Sequence, residues 1–500
     1  MFLDFWTDLL EWLPALLLLG DVVVTGSCIL WVLITKTNTT SAVAWCLLII
    51  FLPFLGALFF FFFGYQHVNR PLMRKRLHAT RYQRPANPAR YDDSTPDFHR
   101  LQEAPGAEKH ALGHEIARLA RVFGAAPVTA GNFVAFYHEG PPCFDAMLEA
   151  IAAAKHHVHL EFFIFHPDIL GCRFLDLLAQ KSRESVQVRL LYDAMGSRRL
   201  PPKLLRPLRD AGGQVSTFLP LNPFRRRFQI NMRNHRKILV VDGAVGFIGG
   251  LNIGDEYAGQ NDYFGFWRDT HLRIEGPAVW DLQRIFGEDW SFAAEIEPRV
   301  LQLALENPEF FRLNRTGGPY TLQVVDSGPD RDLKGIREVI FAAIVKARRR
   351  VWIASPYFVP DEGLLDALRL AAYGGVDVRL LCQFKPDKWL PQYAARFFWS
   401  DVMPAGVQVY QYTRGMMHAK VIIVDDDWAS VGTANLDNRS MFLNFEVNCL
   451  LYSPEAVTEL EAAFLRDFEH SILLDRLAYS HRPLPARLLE NACRLFSPVL

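Results

Sequence analysis

The sequence predicts an α/β protein in which a duplicated soluble body of two pseudo-symmetric halves follows a two-helix transmembrane hairpin. Three observations predict it: two apolar stretches of 23 residues near the N-terminus, a strand, helix, strand pattern written twice, and a set of polar positions that recurs 183 residues later at the same spacing. The bulk numbers agree. A chain of 500 residues is too long for one ordinary domain. With 54 basic against 54 acidic side chains, no large cationic face is expected, and no nucleic-acid partner. The seven cysteines lie far apart with no CxxC pair, so neither a disulfide framework nor a zinc knuckle is indicated, and a reducing compartment is expected for most of the chain.

The membrane hairpin is read over residues 1–64, with spans at about 12–34 and 42–64. Each stretch is long enough to cross about 30 Å of hydrocarbon at about 1.5 Å per residue. A cleaved signal peptide fits poorly, because Asp4, Asp8 and Glu11 open the chain and no Lys or Arg precedes Lys36. Arg70, Arg74, Lys75, Arg76, Arg81, Arg84 and Arg90 follow the second span, with no acid between Tyr65 and Tyr91. The positive-inside rule then puts the body and the N-terminus in the cytoplasm, with Thr35 to Ser41 as a short outer turn. Asp21 disfavours the first span by about 2.5–3.5 kcal/mol on insertion scales. Either it faces the second helix in a tilted full span, or the segment bends at Gly20 and is only partly embedded. Residues 65–108 form a basic juxtamembrane segment and linker, with Tyr82 to Pro105 rich in Pro, Arg and Asp. Residues 1–64 carry one basic and four acidic side chains, leaving 53 and 50 for the rest, so the neutral total averages two environments.

The body divides into residues 109–315 and 316–500. A short apolar run from Val158, an amphipathic stretch through Phe174 and Leu178, and the strand VQVRLL are matched by a run from Val351, a stretch through Leu364 and Leu368, and VDVRLL. Each is a βαβ unit with parallel strands and a right-handed crossover. Helical patterns precede them at Cys143 to Ala154 and Leu333 to Arg348. Downstream, His235, Lys237, Asp242, Gly249 and Asn252 keep the spacing of His418, Lys420, Asp425, Gly432 and Asn435. Two in-register copies carry far more information than one motif match.

In each copy the His and the Lys, two residues apart, share one face of the strand they open. The Gly249–Gly250 and Gly432–Thr433 pairs allow close backbone approach, and Asn252 and Asn435 add uncharged donors for the phosphate oxygens. Imidazole, ammonium and amide suit a phosphodiester. Two such sets facing each other provide a nucleophilic imidazole and an acid/base imidazole, with the lysines supplying positive charge. No metal and no cofactor is therefore expected. A nucleophilic histidine needs an acceptor on its other ring nitrogen. Asp269, 34 residues after His235, and Glu446, 28 after His418, are the candidates. Asp242 and Asp425 are counted with the catalytic set as motif members, although strand ends in VVDG and VVDDD suit turn capping better than substrate contact. His157 and His166 read as structural. Arg225, Arg226, Arg227, Arg233 and Arg236 are either a solvated face or an anionic-lipid contact. The segment Ser355 to Pro360 either lines the site or packs at a strand end.

At these residues the chain resembles the phospholipase D superfamily, marked by two HxKxxxxD motifs, and more closely the bacterial cardiolipin synthases with two N-terminal membrane helices. The stretches DAMGS, NHRKILVVDG, WRDTHLRIEGPAV, SPYFVPD, HAKVIIVDD and GTANLDNRSMFLNFEV carry the likeness from about residue 36 to the tail. The resemblance implies two phospholipase D-like α/β/α domains with mixed sheets, in a multi-pass protein of the bacterial inner membrane. It further implies transfer of a phosphatidyl group from one phosphatidylglycerol to another through a phospho-histidine, with His235 favoured as the nucleophile, giving cardiolipin and glycerol. Phe163 stands where a tyrosine is common, and two methionines precede His418 where an aromatic residue is frequent. The rivals are a hydrolase of the same fold, a transphosphatidylase using another lipid alcohol such as phosphatidylethanolamine, a nuclease and a catalytically inert membrane scaffold. Oligomeric state is left open.

Overall fold

The computed structural model describes residues 2–36, 39–64, 111–221, 231–296, 310 and 317–500. The basic run from Arg70 to Arg90, the linker from Tyr82 to Pro105, and Arg225, Arg226 and Arg227 lie outside the described residues. The chain divides into two compact units, Met1–Leu72 and Met73–Leu500.

In the first unit α1 (Phe2–Thr35) is continuous, and its segment Leu18–Thr35 is, among the described residues, the one helix long and apolar enough to cross a membrane. The second expected span is helical but broken rather than one continuous helix. α2 (Thr39–Phe51) ends before Leu52, whose backbone leaves the helical region, α3 (Pro53–Phe59) restarts at Pro53, and Phe60–Gly64 closes as a π-turn. Pro53 has no N–H to donate and its ring disfavours helical geometry at the residue before it, which places the break at Leu52. α1 packs against α2 and α3, burying Val32, Ala42, Ile49 and Phe60. Leu18, Leu19, Val22 and Ile34 remain exposed, as apolar side chains directed at hydrocarbon would be.

The second unit repeats one sheet. Its first half contains β1 (Thr129–Glu139), β2 (His157–Phe162), β3 (Gln187–Asp193), β4 (Gln214–Phe218), β5 (Arg233–Asn234), β6 (Lys237–Val241), β7 (Val245–Gly249) and β8 (Phe266–Glu275). The second half contains β9 (Tyr320–Ser327), β10 (Arg350–Ala354), β11 (Phe358–Val359), β12 (Asp377–Gln383), β13 (Gln408–Tyr412), β14 (Gly415–Met417) and β15 (Val421–Val424). It ends with β16 (Trp428–Gly432), β17 (Leu436–Asp437), β18 (Asn444–Leu451) and β19 (Ser471–Leu473). Across the first sheet the order is β4, β3, β2, β6, β7, β8, β1. Across the second it is β13, β12, β10, β15, β16, β18, β9. In both, the first three strands are parallel and the later pairs antiparallel, so the sheets are mixed. β1 also pairs with β9 and joins them, β19 extends the edge at β13, and β11 pairs with β17.

The parallel part follows from the βαβ units. Helices Ile169–Arg183 and Glu362–Tyr373 make the crossovers, and Asp168 and Asp361 cap them at equivalent positions by accepting hydrogen bonds from Gly171 N and Gly363 N. Strand alternation builds the core between the sheets: Ile238 and Val240 on β6 join Val421 and Ile423 on β15 in one cluster. The alternate residues Leu239 and Val241, and Ile422 and Val424, pack on the opposite faces in separate clusters.

Candidate active site

The two histidines sit where short strands cross from one half to the other. β5, just before His235, pairs in parallel with the start of β18, matching Arg233 with Asn444 and Asn234 with Phe445. β14, just before His418, pairs in parallel with the start of β8, matching Met416 with Trp267 and Met417 with Arg268. His235 N then donates to Phe445 O at 2.9 Å and His418 N to Arg268 O at 2.7 Å. The residue after each acceptor carbonyl is an acid. His235 Nδ1 lies 3.0 Å from both Oε1 and Oε2 of Glu446, and His418 Nδ1 lies 2.7 Å from Asp269 Oδ2. Sequence order suggests Asp269 for His235 and Glu446 for His418; the structure exchanges them, so each dyad is made from both halves.

The lysines stay with their own histidines. Lys237, first in β6, donates from Nζ to His235 O at 2.6 Å, and Lys420 donates to His418 O, its Nζ also lying 2.8 Å from His418 Nδ1. The histidines themselves stand just before the strands, not on them. All four side chains are buried. Burial, with Lys237, Lys420 and His418 nearby, holds His235 well below the usual imidazole range. Burial and Lys420 also lower His418, against the opposing pull of Asp269. Desolvation brings Lys237 down to about 7 and Lys420 down to about 8. The acids differ. Burial drives Glu446 up to about 7, whereas at Asp269 the charges of Lys420 and His418 outweigh burial and keep the carboxyl below its ordinary value.

The residues facing the two acids also differ. A Cβ on Gly250 would lie 1.9 Å from Asp269 Oδ1, so this carboxylate needs glycine opposite it. At the equivalent place Thr433 Oγ1 donates to Glu446 Oε2 at 2.5 Å. Asn252 Oδ1 accepts from Ile164 N at 3.0 Å. Asn435 keeps a buried Oδ1 without a partner, so its amide is not fully committed to the fold.

Several expected members lie elsewhere. Asp242 accepts from Lys155 N, His156 N and His157 N at 2.8–2.9 Å. Asp425 accepts from Arg348 N, Arg349 N and Arg350 N at 2.8–3.1 Å. Both have positive φ and end β6 and β15, at the opposite end of those strands from the lysines. Placing them in the catalytic set is corrected to anchoring the β2 and β10 entries. Arg233 and Arg236 are buried, so neither belongs to a solvated or lipid-facing cluster; Arg236 pairs with Asp289 and, at 3.0 Å, with Asp326. His157 lies 3.2 Å from Gln283.

Other residues complete the surroundings. The Phe163 ring centre is 5.0 Å from that of His235, and the Trp267 ring is 5.2 Å from that of His418. Tyr357 donates to Asp387 Oδ2 at 2.5 Å, and its carbonyl accepts from Ser355 Oγ, which in turn accepts from Leu436 N, next to Asn435. Asp387 Oδ1 is buried without a partner, and its charge acts on His418 and Lys420. Trp267, Asp387 and Lys388 were not singled out by sequence; only the position of Trp267, two residues before Asp269, offered a signal.

Comparison with known proteins places this geometry. A family model described as "Cardiolipin synthase, PLD-like domain" matches residues 147–290 and 340–468, the first containing His235 and the second His418, and one described as phospholipase D-nuclease N-terminal matches residues 23–64. The chain is 41% identical over 462 residues to a cardiolipin synthase of Geobacillus thermodenitrificans, covering 92% of this chain and 89% of that one. It is 44% identical over 386 residues to cardiolipin synthase 2 of Bacillus anthracis, covering 77% and 74%. Among solved structures it resembles the phosphatidylserine synthase of Haemophilus influenzae with a TM-score of 0.57 at 17% identity, covering 73% of this chain and 95% of that one, a likeness of fold.

Proposed function

The chain belongs to the cardiolipin synthases with phospholipase D-like domains, and from that premise we propose that it transfers a phosphatidyl group between two phosphatidylglycerol molecules at the crossed histidine dyads. The observation that carries this reading is the unlike pair His235–Glu446 and His418–Asp269, with a lysine at each. His235, held unprotonated, attacks phosphorus through Nε2. The bond from phosphorus to the headgroup glycerol oxygen breaks, and His418, its imidazolium favoured by ionised Asp269, gives that oxygen a proton. The phosphatidyl group then rests on His235. A hydroxyl of the second phosphatidylglycerol gives its proton to His418 and attacks phosphorus, the P–N bond breaks, and cardiolipin leaves. Lys237, Lys420, Asn252 and Asn435 hold the non-bridging oxygens. Asp387 Oδ1, an open acceptor that would repel phosphate, suits a headgroup hydroxyl.

In this reading residues 109–315 and 316–500 are two phospholipase D-like domains, each giving one histidine to a shared site; the repeated strand order supports it. The first 64 residues cross the bacterial cell membrane twice, with the body in the cytoplasm. The apolar α1 and the basic run after residue 64 support that topology. The test is product analysis: purified protein given phosphatidylglycerol yields cardiolipin and glycerol in equal amounts, and phosphatidic acid without cardiolipin would replace the synthase with a hydrolase.

A further inference from the structure

The helix Leu484–Arg494 is mounted with its apolar side outward. Its body-facing residues include Glu490 and Cys493, both buried, with Glu490 paired to Arg482 at 2.7 Å. Leu484, Leu488 and Leu495 are 65%, 60% and 74% exposed. At about 100° per residue these leucines fall within about 40° of one line along the helix, and Arg487 and Arg494 lie together on one flank. Leu477, in the short helix Arg476–Ser480, and Phe496 extend the exposed apolar surface.

Both neighbours of this helix lead to the active site. After it, the chain ends against the wall beside Asn435: Arg439 N donates to Leu500 O at 2.6 Å and Arg439 Nη1 to Val499 O at 3.1 Å. On its other side it packs along the helix Trp389–Val402, which is entered through Phe384, Lys385, Asp387 and Lys388. In that loop Phe384, Lys385, Lys388 and Trp389 are exposed while Asp387 belongs to the site. Exposed aromatics beside lysines, and a leucine face edged by arginines, are the composition of a surface that settles into the headgroup boundary of a bilayer.

We propose that the helix Leu484–Arg494 and the 384–389 loop form a docking face for an anionic bilayer, holding the mouth of the active site at the surface where its lipid substrates lie. Leucines and Trp389 enter the apolar edge, while Arg487, Arg494, Lys385 and Lys388 meet anionic headgroups. Charge selects this occupant over a second copy of the chain. Antiparallel two-fold association would bring the arginine flanks of two such faces together, and the one acid of this helix, Glu490, is already buried against Arg482. The significance for turnover rests on the reading that the substrates are bilayer lipids.

The test uses the full chain in vesicles of phosphatidylglycerol and phosphatidylcholine, with the photo-reactive residue p-benzoylphenylalanine in place of Leu488. Irradiation is expected to add the mass of one phospholipid to the peptide containing position 488. A cross-link to a second chain, or no adduct, overturns the proposal. The double variant Leu484→Glu, Leu488→Glu is expected to make cardiolipin about ten-fold more slowly from vesicle phosphatidylglycerol, with unchanged turnover of a short-chain phosphatidylglycerol dispersed as monomers. Equal loss on both substrates, or no loss on either, also overturns it. A lipid adduct at position 488 together with wild-type protein that makes no cardiolipin would refute the synthase reading while leaving the docking face standing.

Discussion

His235 and His418 are the same side chain in unlike company, and the acids opposite them set the difference. Burial and the neighbouring cations keep His235 neutral beside a Glu446 raised to about 7, whereas Asp269 remains ionised beside His418. Asp269→Asn is expected to slow turnover by about 10²–10⁴-fold, because it removes the carboxylate that supports a His418 imidazolium against burial and Lys420. The effect should shrink with a leaving alcohol of low pKa, read by comparing phosphatidylglycerol with a p-nitrophenyl phosphatidyl ester. The lysines set the alkaline side. With free-enzyme values of about 7 for Lys237 and about 8 for Lys420, kcat/KM should fall as pH rises through that range and phosphate-holding charge is lost. Stability runs the other way. Lys237 has a folded value below its unfolded value of 10.5, so its buried charge opposes folding in full below about pH 7, and that penalty fades toward pH 10.5. Lys237→Met is therefore expected to be inactive yet to melt higher than wild type at pH 6, with the gain shrinking at pH 9. The histidines, lysines and asparagines were legible as a repeated spacing, and the two acids as members of strand-like segments that follow each motif at unequal distances. Which acid meets which histidine was not, because the exchange depends on strands that pair across some 150 to 210 positions.

At the scale of elements, β5 with β18 and β14 with β8 do what neither half can do alone: they carry each histidine to the other half's acid. Gly250, just after β7, leaves room for the acid that meets His418. Gly250→Ala would set a methyl group 1.9 Å from Asp269 Oδ1 and must displace the carboxylate from His418. Its activity is expected to fall to the level of Asp269→Asn, and combining the two substitutions should cost little more than either alone, since both remove one interaction. A multiplicative loss would place Gly250 in some other role. The βαβ units were legible from alternation and helix period. The break at Leu52 was equally written in the chain, as Pro53 inside an apolar run, but apolarity was given more weight than the missing N–H. Asp242 and Asp425 travel with the motif, which made them look chemical; their task is to bind three consecutive backbone N–H groups.

Across the second unit, the two halves of the repeated sheet are bound next to the paired histidines by buried arginines. Arg236 reaches Asp289 in the first half and Asp326 and the Glu446 carbonyl in the second, and Arg268 reaches Asp467 at 2.8 Å. Composition read Arg236 as surface charge because its partners lie 53 and 90 positions away. Arg236→Met removes the cation paired with the buried Asp289 carboxylate and is expected to lower stability by about 3–5 kcal/mol. Calorimetry should record one cooperative transition for the body, displaced as a whole; two separated transitions would mean that the halves fold independently. Such a shared site makes a directional claim, that His235 carries the phosphatidyl group and His418 moves protons. The most direct measurement is rapid quenching of His418→Ala after mixing with a ³²P-labelled p-nitrophenyl phosphatidyl ester, followed by mapping of the label. The account predicts label on the peptide containing His235 when the lipid carries a good leaving group, and none in His235→Ala. Label on His418 in the His235→Ala variant would contradict it.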